Sequence, residues 1–218
     1  MKPDNLFTKA LTMQSIKFAG DHITPSKIVC VGRNYVDHIK ELGNEVADNM
    51  VLFIKPNAAI GYQLNAFHQE ILHYEAELSF LYQQGKFTAV AVGLDLTKRT
   101  LQSQLKAKGL PWERAKAFTG SALFSDFVPL SAVEADLGLE LYINGACRQK
   151  GSVAMMLYSP QVIMEEILSF IALEDGDIVM TGTPAGVGAG QDPQEWMWPG
   201  DTVVATVEGI GTLPHPIV

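Results

Sequence analysis

The chain has 218 residues, 47% hydrophobic and 18% charged, which is enough length and apolar content for one large globular domain. A formal net charge of −8 and the lack of any Lys/Arg cluster argue against a nucleic-acid partner. No apolar run nears the roughly 18 residues of a membrane span, and Met1-Lys2-Pro3-Asp4 opens no signal-peptide pattern, so a cytoplasmic protein with no membrane partner is expected.

Residues 1–25 carry one weak alternating segment, Met13-Gln14-Ser15-Ile16-Lys17-Phe18, and read as an N-terminal extension before a single domain over 26–218. Lys27-Ile28-Val29-Cys30-Val31 is a short buried strand. Asn34 is placed to cap a helix over 35–42 that Gly43 ends. Val51-Leu52-Phe53-Ile54 is a strand stopped by Pro56. Two apolar strands follow, one through 71–82 and one through 89–94. A helix over 101–108 ends at Gly109, and Pro111 opens a short one over 111–116. Leu139-Glu140-Leu141-Tyr142-Ile143 runs into Asn144-Gly145, a strong hairpin signal. The longest helical pattern lies over 160–173, and strands at 177–180 and 202–207 flank the glycine-rich stretch 181–188. Cys30 and Cys147, far apart and without metal-type spacing, read as reduced residues in or near the core. Many short strands with few, segregated helices indicate a β-rich α+β fold.

The chemistry concentrates in the first of the two apolar strands. Glu75 and Glu77 are two apart in His73-Tyr74-Glu75-Ala76-Glu77-Leu78, so a strand puts both on one face. Two such carboxylates in apolar surroundings require a proton or a cation between them. Asp95, closing the second run, offers a third oxygen ligand. Three carboxylates without paired His or Cys favour Mg²⁺, Mn²⁺ or Ca²⁺ over Zn²⁺. A solvent-facing Glu-x-Glu row has the same alternation, which by itself does not separate the two.

His38 and Glu41 share a helix face at i,i+3, as a general base and its orienting carboxylate do; an exposed pair on an amphipathic helix has the same spacing. Lys116 stands alone among Ala115, Ala117 and Phe118, either as a snorkelling surface residue or as a desolvated anion binder. The stretch 181–188 has neither Walker nor dinucleotide spacing, which excludes a phosphate loop of those kinds.

Taken in order, these segments resemble the fumarylacetoacetate hydrolase family, specifically its short acylpyruvase and oxaloacetate-processing members. The resemblance runs from about Lys27 to the C-terminus. It rests on Val31-Gly32-Arg33-Asn34-Tyr35, His38-x-x-Glu41-Leu42-Gly43, Phe53-Ile54-Lys55-Pro56, His73-x-Glu75-x-Glu77, Asp95-x-Thr97-x-Arg99, Ala115-Lys116-Ala117-Phe118 and Thr181-Gly182-Thr183-Pro184. It implies a mixed β-sheet roll, usually a homodimer, with Mg²⁺ (Mn²⁺ or Ca²⁺ able to substitute) on Glu75, Glu77 and Asp95. It further implies Lys116 facing the substrate, His38 and Glu41 as a catalytic dyad in a lid, and substrate contacts from Arg99, Gly182 and Thr183. The expected substrate is a small 2-oxo acid, undergoing acylpyruvate hydrolysis or oxaloacetate decarboxylation, or alternatively keto–enol isomerisation. A catalytically degenerate metal-binding dimer is the non-enzymatic reading, and the intact set of site residues opposes it.

Two departures stand out. Thr100 replaces the family's usual Asp and is expected to cap the following helix. Gln83-Gln84-Gly85-Lys86 forms a tight hairpin where relatives often carry a longer segment. A lid over about 34–49, mobile without substrate, is also expected.

Overall fold

The computed structural model describes residues 13–132, 136–191, 193–207 and 211–217. The first twelve residues of the expected N-terminal extension lie outside the described part. In chain order the strands are β1 (Ile16–Phe18), β2 (Asp21–Ile23), β3 (Lys27–Gly32), β4 (Val51–Pro56), β5 (Ala76–Gln83), β6 (Lys86–Asp95), β7 (Ala122–Phe124), β8 (Val128–Pro129), β9 (Gly138–Ile143), β10 (Ala146–Ser152), β11 (Ile178–Met180), β12 (Thr202–Val207) and β13 (Gly211–Pro216). The helices are α1 (Val36–Glu41), α2 (Arg99–Ala107), α3 (Glu113–Lys116) and α4 (Pro160–Phe170).

A seven-stranded mixed sheet runs in the order β4-β3-β11-β5-β6-β7, with β8 also paired to β6. The β11–β3 pair is parallel and its other neighbours are antiparallel. A four-stranded antiparallel sheet, β10-β9-β12-β13, lies against it. Between the sheets the even positions of β5 (Ala76, Leu78, Phe80) meet Leu139, Leu141, Val203 and Ala205 in the largest core cluster. The odd positions of β5 face the other way, toward Cys30, Ala91 and Met180, where Leu81 completes a second cluster. Both faces of β5 are therefore buried, which its nearly unbroken apolar run requires. Glu77 sits on the odd face.

Turn chemistry fixes the registers that matter. The β5–β6 hairpin turns through Gln84 (φ 52°) and Gly85 (φ 79°), and the β9–β10 hairpin through Asn144 (φ 50°) and Gly145 (φ 81°). Both are two-residue loops with the left-handed pair that matches strand twist. The tight hairpin read from residues 83–86 is present.

Several local readings are corrected. Asn34 does not cap α1; Tyr35 holds the cap position without a side-chain bond. The Asn34 side chain instead donates to Thr181 O (2.8 Å) and Tyr158 O (3.0 Å) and accepts from Tyr158 N (2.8 Å), tying the entry of α1 to the loop after β11. Thr100 lies inside α2, and its N–H donates to Glu70 Oε1 at 2.9 Å, so a carboxylate from a distant loop caps that helix end. The first apolar strand begins only at Ala76, although paired bonds between His73 and Thr97 extend its ladder backwards. The short helix starts at Glu113, two residues past Pro111. Cys30 is buried but Cys147 is exposed, and both are free. Among the described residues no helix is long and apolar enough to cross a membrane.

Candidate functional site

The β5–β6 register builds the site. Ala76 pairs with Leu94 and Glu77 with Gly93, and Asp95 N donates to Glu75 O at 2.8 Å. Asp95 thus stands beside Glu75, with Glu77 one same-face step along. Oxygens of Glu75, Glu77 and Asp95 all lie within 4.8 Å of one another, and all three side chains are buried. The solvent-facing row that alternation also allowed is excluded.

Three cations pair with two of these three carboxylates, Glu75 and Asp95. Lys116, carried by α3, donates from Nζ to Glu75 Oε2, Asp95 Oδ2 and Thr97 Oγ1, each at 2.6 Å. Arg99, the first residue of α2, pairs with Glu75 and donates to Gln102 Oε1 at 2.8 Å. Lys55, fully buried on β4, lies 2.8 Å from Asp95 Oδ1 and donates to Lys116 O, Ser121 O and Ser121 Oγ. Burial pushes the Glu75 carboxyl up, but Lys116 and Arg99 outweigh it and hold the group well below the ordinary carboxylate range. Lys116 is raised despite its burial, because Asp95 and Glu75 face it. Glu77 is the exception. Among the described residues its one hydrogen bond comes from Gly182 N at 2.9 Å, and burial, Asp95 and Glu75 drive its pKa well above normal.

The donor chemistry fits a hard divalent cation. All three donors are carboxylates, the set is buried, and among the described residues Glu77 has no ion-pair partner of its own, so a bound cation would stabilise its charged form.

The glycine-rich loop closes the other side. Thr183 Oγ1 donates to Ala76 O at 2.8 Å and accepts from Gln149 Nε2 at 2.7 Å, while Gln149 Oε1 accepts from Ala76 N at 3.0 Å. Gly186, at φ +105°, sits where a Cβ would lie 1.7 Å from Arg148 O, so only glycine fits. Over the cleft, His38 Nδ1 is 3.1 Å from Glu41 Oε2, and Glu41 Oε1 accepts from Gly186 N at 2.8 Å. The i,i+3 pair is thus docked onto the loop, with His38 buried.

One cleft of about 490 Å³, solvent mouth included, is lined by His38, Glu75, Glu77, Asp95, Arg99, Lys116 and Thr183. The backbone N–H of Gly182, expected to meet substrate, is directed at Glu77. Lys55 and Gln149 had no role in the sequence reading. A lone lysine in an apolar strand was the available signal for Lys55, the same signal that marked Lys116. Gln149 had none, because the run Arg148-Gln149-Lys150 reads as surface and a bulge between Cys147 and Gln149 alters the register there.

Comparison with known proteins gives a consistent picture. A family model described as "Fumarylacetoacetate (FAA) hydrolase C-terminal" matches residues 27–218. The chain is 37% identical over 203 residues to the mitochondrial oxaloacetate tautomerase FAHD1 of Rattus norvegicus, covering 85% of this chain and 89% of that one. It is 37% identical over 202 residues to the oxaloacetate tautomerase YcgM of Escherichia coli, covering 84% and 89%. Among solved structures it resembles the fumarylpyruvate hydrolase of Pseudomonas aeruginosa in complex with Mn²⁺ and pyruvate, with a TM-score of 0.86, 27% identity, and coverage of 98% and 99%.

Proposed function

The chain belongs to the fumarylacetoacetate hydrolase family, and from that premise we propose that it interconverts the keto and enol forms of oxaloacetate or a similar small 2-oxo acid. The observation that carries this reading is the His38–Glu41 pair closing the same cleft that Glu75, Glu77, Asp95 and Lys116 line. The relatives that share about 37% identity over most of both chains, and are named oxaloacetate tautomerases, support it.

Glu75, Glu77 and Asp95 would hold the cation, with Mg²⁺ as the proposed ion. The chemistry supplied by such a bound ion is polarisation of the 2-oxo group, which acidifies the neighbouring C3–H. His38 takes the C3 proton and returns it to oxygen, or the reverse. Glu41 fixes its orientation through Nδ1, leaving the other ring nitrogen as the base. Lys116 balances negative charge as it grows on the 2-oxo oxygen. Arg99 and Thr183 are the proposed partners of the substrate carboxylate. Burial of His38 keeps bulk water from the proton in transit.

A second reading has its own support. The same dyad can activate water, and the Pseudomonas hydrolase shares the fold across nearly the whole chain. Acylpyruvate hydrolysis would then use His38 on water, whereas oxaloacetate decarboxylation would use only the metal site. We further propose a homodimer, supported by exposed Met155, Leu157, Val162 and Phe170, and a cytoplasmic location, supported by two free cysteines.

The test follows the Mg²⁺-loaded protein with oxaloacetate, by loss of enol absorbance, and in parallel with acetylpyruvate. Faster enol–keto exchange with slow acetylpyruvate cleavage is expected. Rapid cleavage with no effect on enol exchange would replace this reading by the hydrolytic one, and light scattering that reports a monomer would remove the dimer.

A further inference from the structure

Two cations lining the cleft take no part in the chemistry above. Arg33 Nη2 and Lys106 Nζ both donate to one neutral acceptor, Asn44 Oδ1, at 3.3 and 3.2 Å. Arg33 Nη1 ends on Glu45 O at 3.4 Å. Among the described residues, neither head group is in a salt bridge with a carboxylate. Both residues are half-buried, and Lys106 Nζ lies 5.6 Å over the Trp112 ring. Burial, with Arg33 and Arg99 nearby, holds Lys106 below its usual range. The Arg33 backbone sits at φ +59°, a conformation that non-glycine residues rarely adopt.

Like charges brought together in a partly dry place are unfavourable unless an anion joins them. Deeper in the cleft Glu75 and Asp95 are already matched by Lys116, Arg99 and Lys55, and among the described residues Glu77 forms no ion pair with Arg33 or Lys106 either. Asn44 Oδ1 occupies the point where a carboxylate oxygen would satisfy both. A planar guanidinium beside a point-charged ammonium is suited to a carboxylate, which takes one bond from each.

We infer that Arg33 and Lys106, with Asn44 between them, form a second anion subsite for the far carboxylate of a dicarboxylic 2-oxo acid. The enzyme thereby selects substrates with an anionic group at both ends. This rests on the 2-oxo acid reading and narrows its substrate class. Trp112 walls the subsite with an apolar face that strengthens the ion contacts by excluding water.

The experiment titrates Mg²⁺-loaded protein, followed by tryptophan fluorescence, with two ligand pairs that differ only at the far end: oxaloacetate against 2-oxobutyrate, and 2-oxoglutarate against 2-oxopentanoate. Pyruvate serves as the short reference. In the unaltered protein one dicarboxylate should bind about tenfold or more tighter than its methyl-ended partner, the usual worth of a bond to a charged group. Lys106→Gln and Arg33→Gln should each remove most of that difference, and Lys106→Arg should restore it. Pyruvate affinity should stay within about twofold, a change that corresponds to less than a kcal/mol. Lys106→Gln on α2 leaves the Arg33 backbone untouched, so a folding defect in Arg33→Gln does not mask the result. Equal binding of both members of both pairs would overturn the subsite. So would a loss of pyruvate binding that matches the loss of dicarboxylate binding, since that marks an indirect effect on the metal end. Failure of pyruvate and every other 2-oxo acid to bind would instead sink the 2-oxo acid reading itself, and the subsite with it.

Discussion

At Glu77 the balance of charge decides what the residue is for. The side chain is buried between Asp95 and Glu75 with one backbone N–H as its partner, a setting that favours the neutral form unless a cation is present. Glu77→Gln should therefore leave metal-free protein as stable as before or more so. It should also abolish the thermal stabilisation that Mg²⁺ gives, about 2.7 kcal/mol at a hundredfold excess over Kd. A destabilised variant that Mg²⁺ still stabilises would remove Glu77 from the ligand set. Lys55 shows the opposite dependence. Its Nζ serves Asp95, Ser121 and the backbone of Lys116 with no exposure to solvent, so Lys55→Met strands a buried carboxylate and should cost about 3–5 kcal/mol in chemical denaturation. Loss of less than about 1 kcal/mol would show that Asp95 relies on Lys116 alone. Glu75, Glu77 and Asp95 were legible in the sequence because strand alternation and an apolar setting are properties of the sequence itself. Lys55 and Gln149 were not, since their partners come from segments dozens of residues away.

Among the elements, the C-terminal end of α1 is tied to the glycine-rich loop by an acidic side chain. Glu41 accepts from Gly186 N while orienting His38, and Gly190 packs so closely that a Cβ there would lie 2.1 Å from Glu41 Cγ. Glu41→Ala should lower proton transfer by about 10² to 10⁴. It should also speed hydrogen exchange over residues 36–43, as expected of a lid released from its anchor. Gly190→Ala should act in the same direction, through displacement of Glu41. Full activity on every substrate in both variants would rule out the dyad while leaving the metal residues in place. The i,i+3 pairing was readable from helix spacing, but the docking was not, because it depends on a loop 145 residues further on. The β3–β11 junction gives a second test at this scale. Asp177 accepts from Ser26 N (3.1 Å), Ser26 Oγ (2.7 Å), Lys27 N (3.1 Å) and Glu174 N (2.9 Å), and from Lys27 Nζ. Burial raises its pKa, but these donors outweigh that and hold it below the ordinary aspartate value. A carboxyl depressed on folding stabilises the native state above its unfolded pKa and loses that contribution as pH falls through the folded one. Asp177→Asn should thus cost most near neutrality and progressively less below pH 3.8. A penalty that grew on acidification would contradict the assignment.

Across the whole molecule the two sheets divide the work between stability and chemistry. The β-rich class, the two-residue hairpins and most strands follow from local signals: alternation, apolar runs and Asn-Gly or Gln-Gly turns. What local signals do not specify is that β11 enters the seven-stranded sheet between β3 and β5, parallel to one and antiparallel to the other. That placement brings the loop after β11, with Gly182 and Thr183, against Glu77 and the Ala76 backbone of β5. It depends on pairings across about 100 and 150 residues, such as Thr181 N to Leu78 O and Asn34 Nδ2 to Thr181 O, which no periodicity encodes. The four-stranded sheet, by contrast, packs on the even face of β5, behind the carboxylate-bearing side. Ile143, near the end of β9, contributes to that packing and does not line the cleft. Ile143→Ala should cost about 2–5 kcal/mol through lost burial and a residual cavity. At this chain length each kcal/mol lowers Tm by about 2–4 °C. Mg²⁺ affinity and kcat at temperatures below the transition should stay as they were. If the same substitution weakened Mg²⁺ binding in proportion to stability, the two faces of β5 would be energetically one unit, and the division of labour between the sheets would fail.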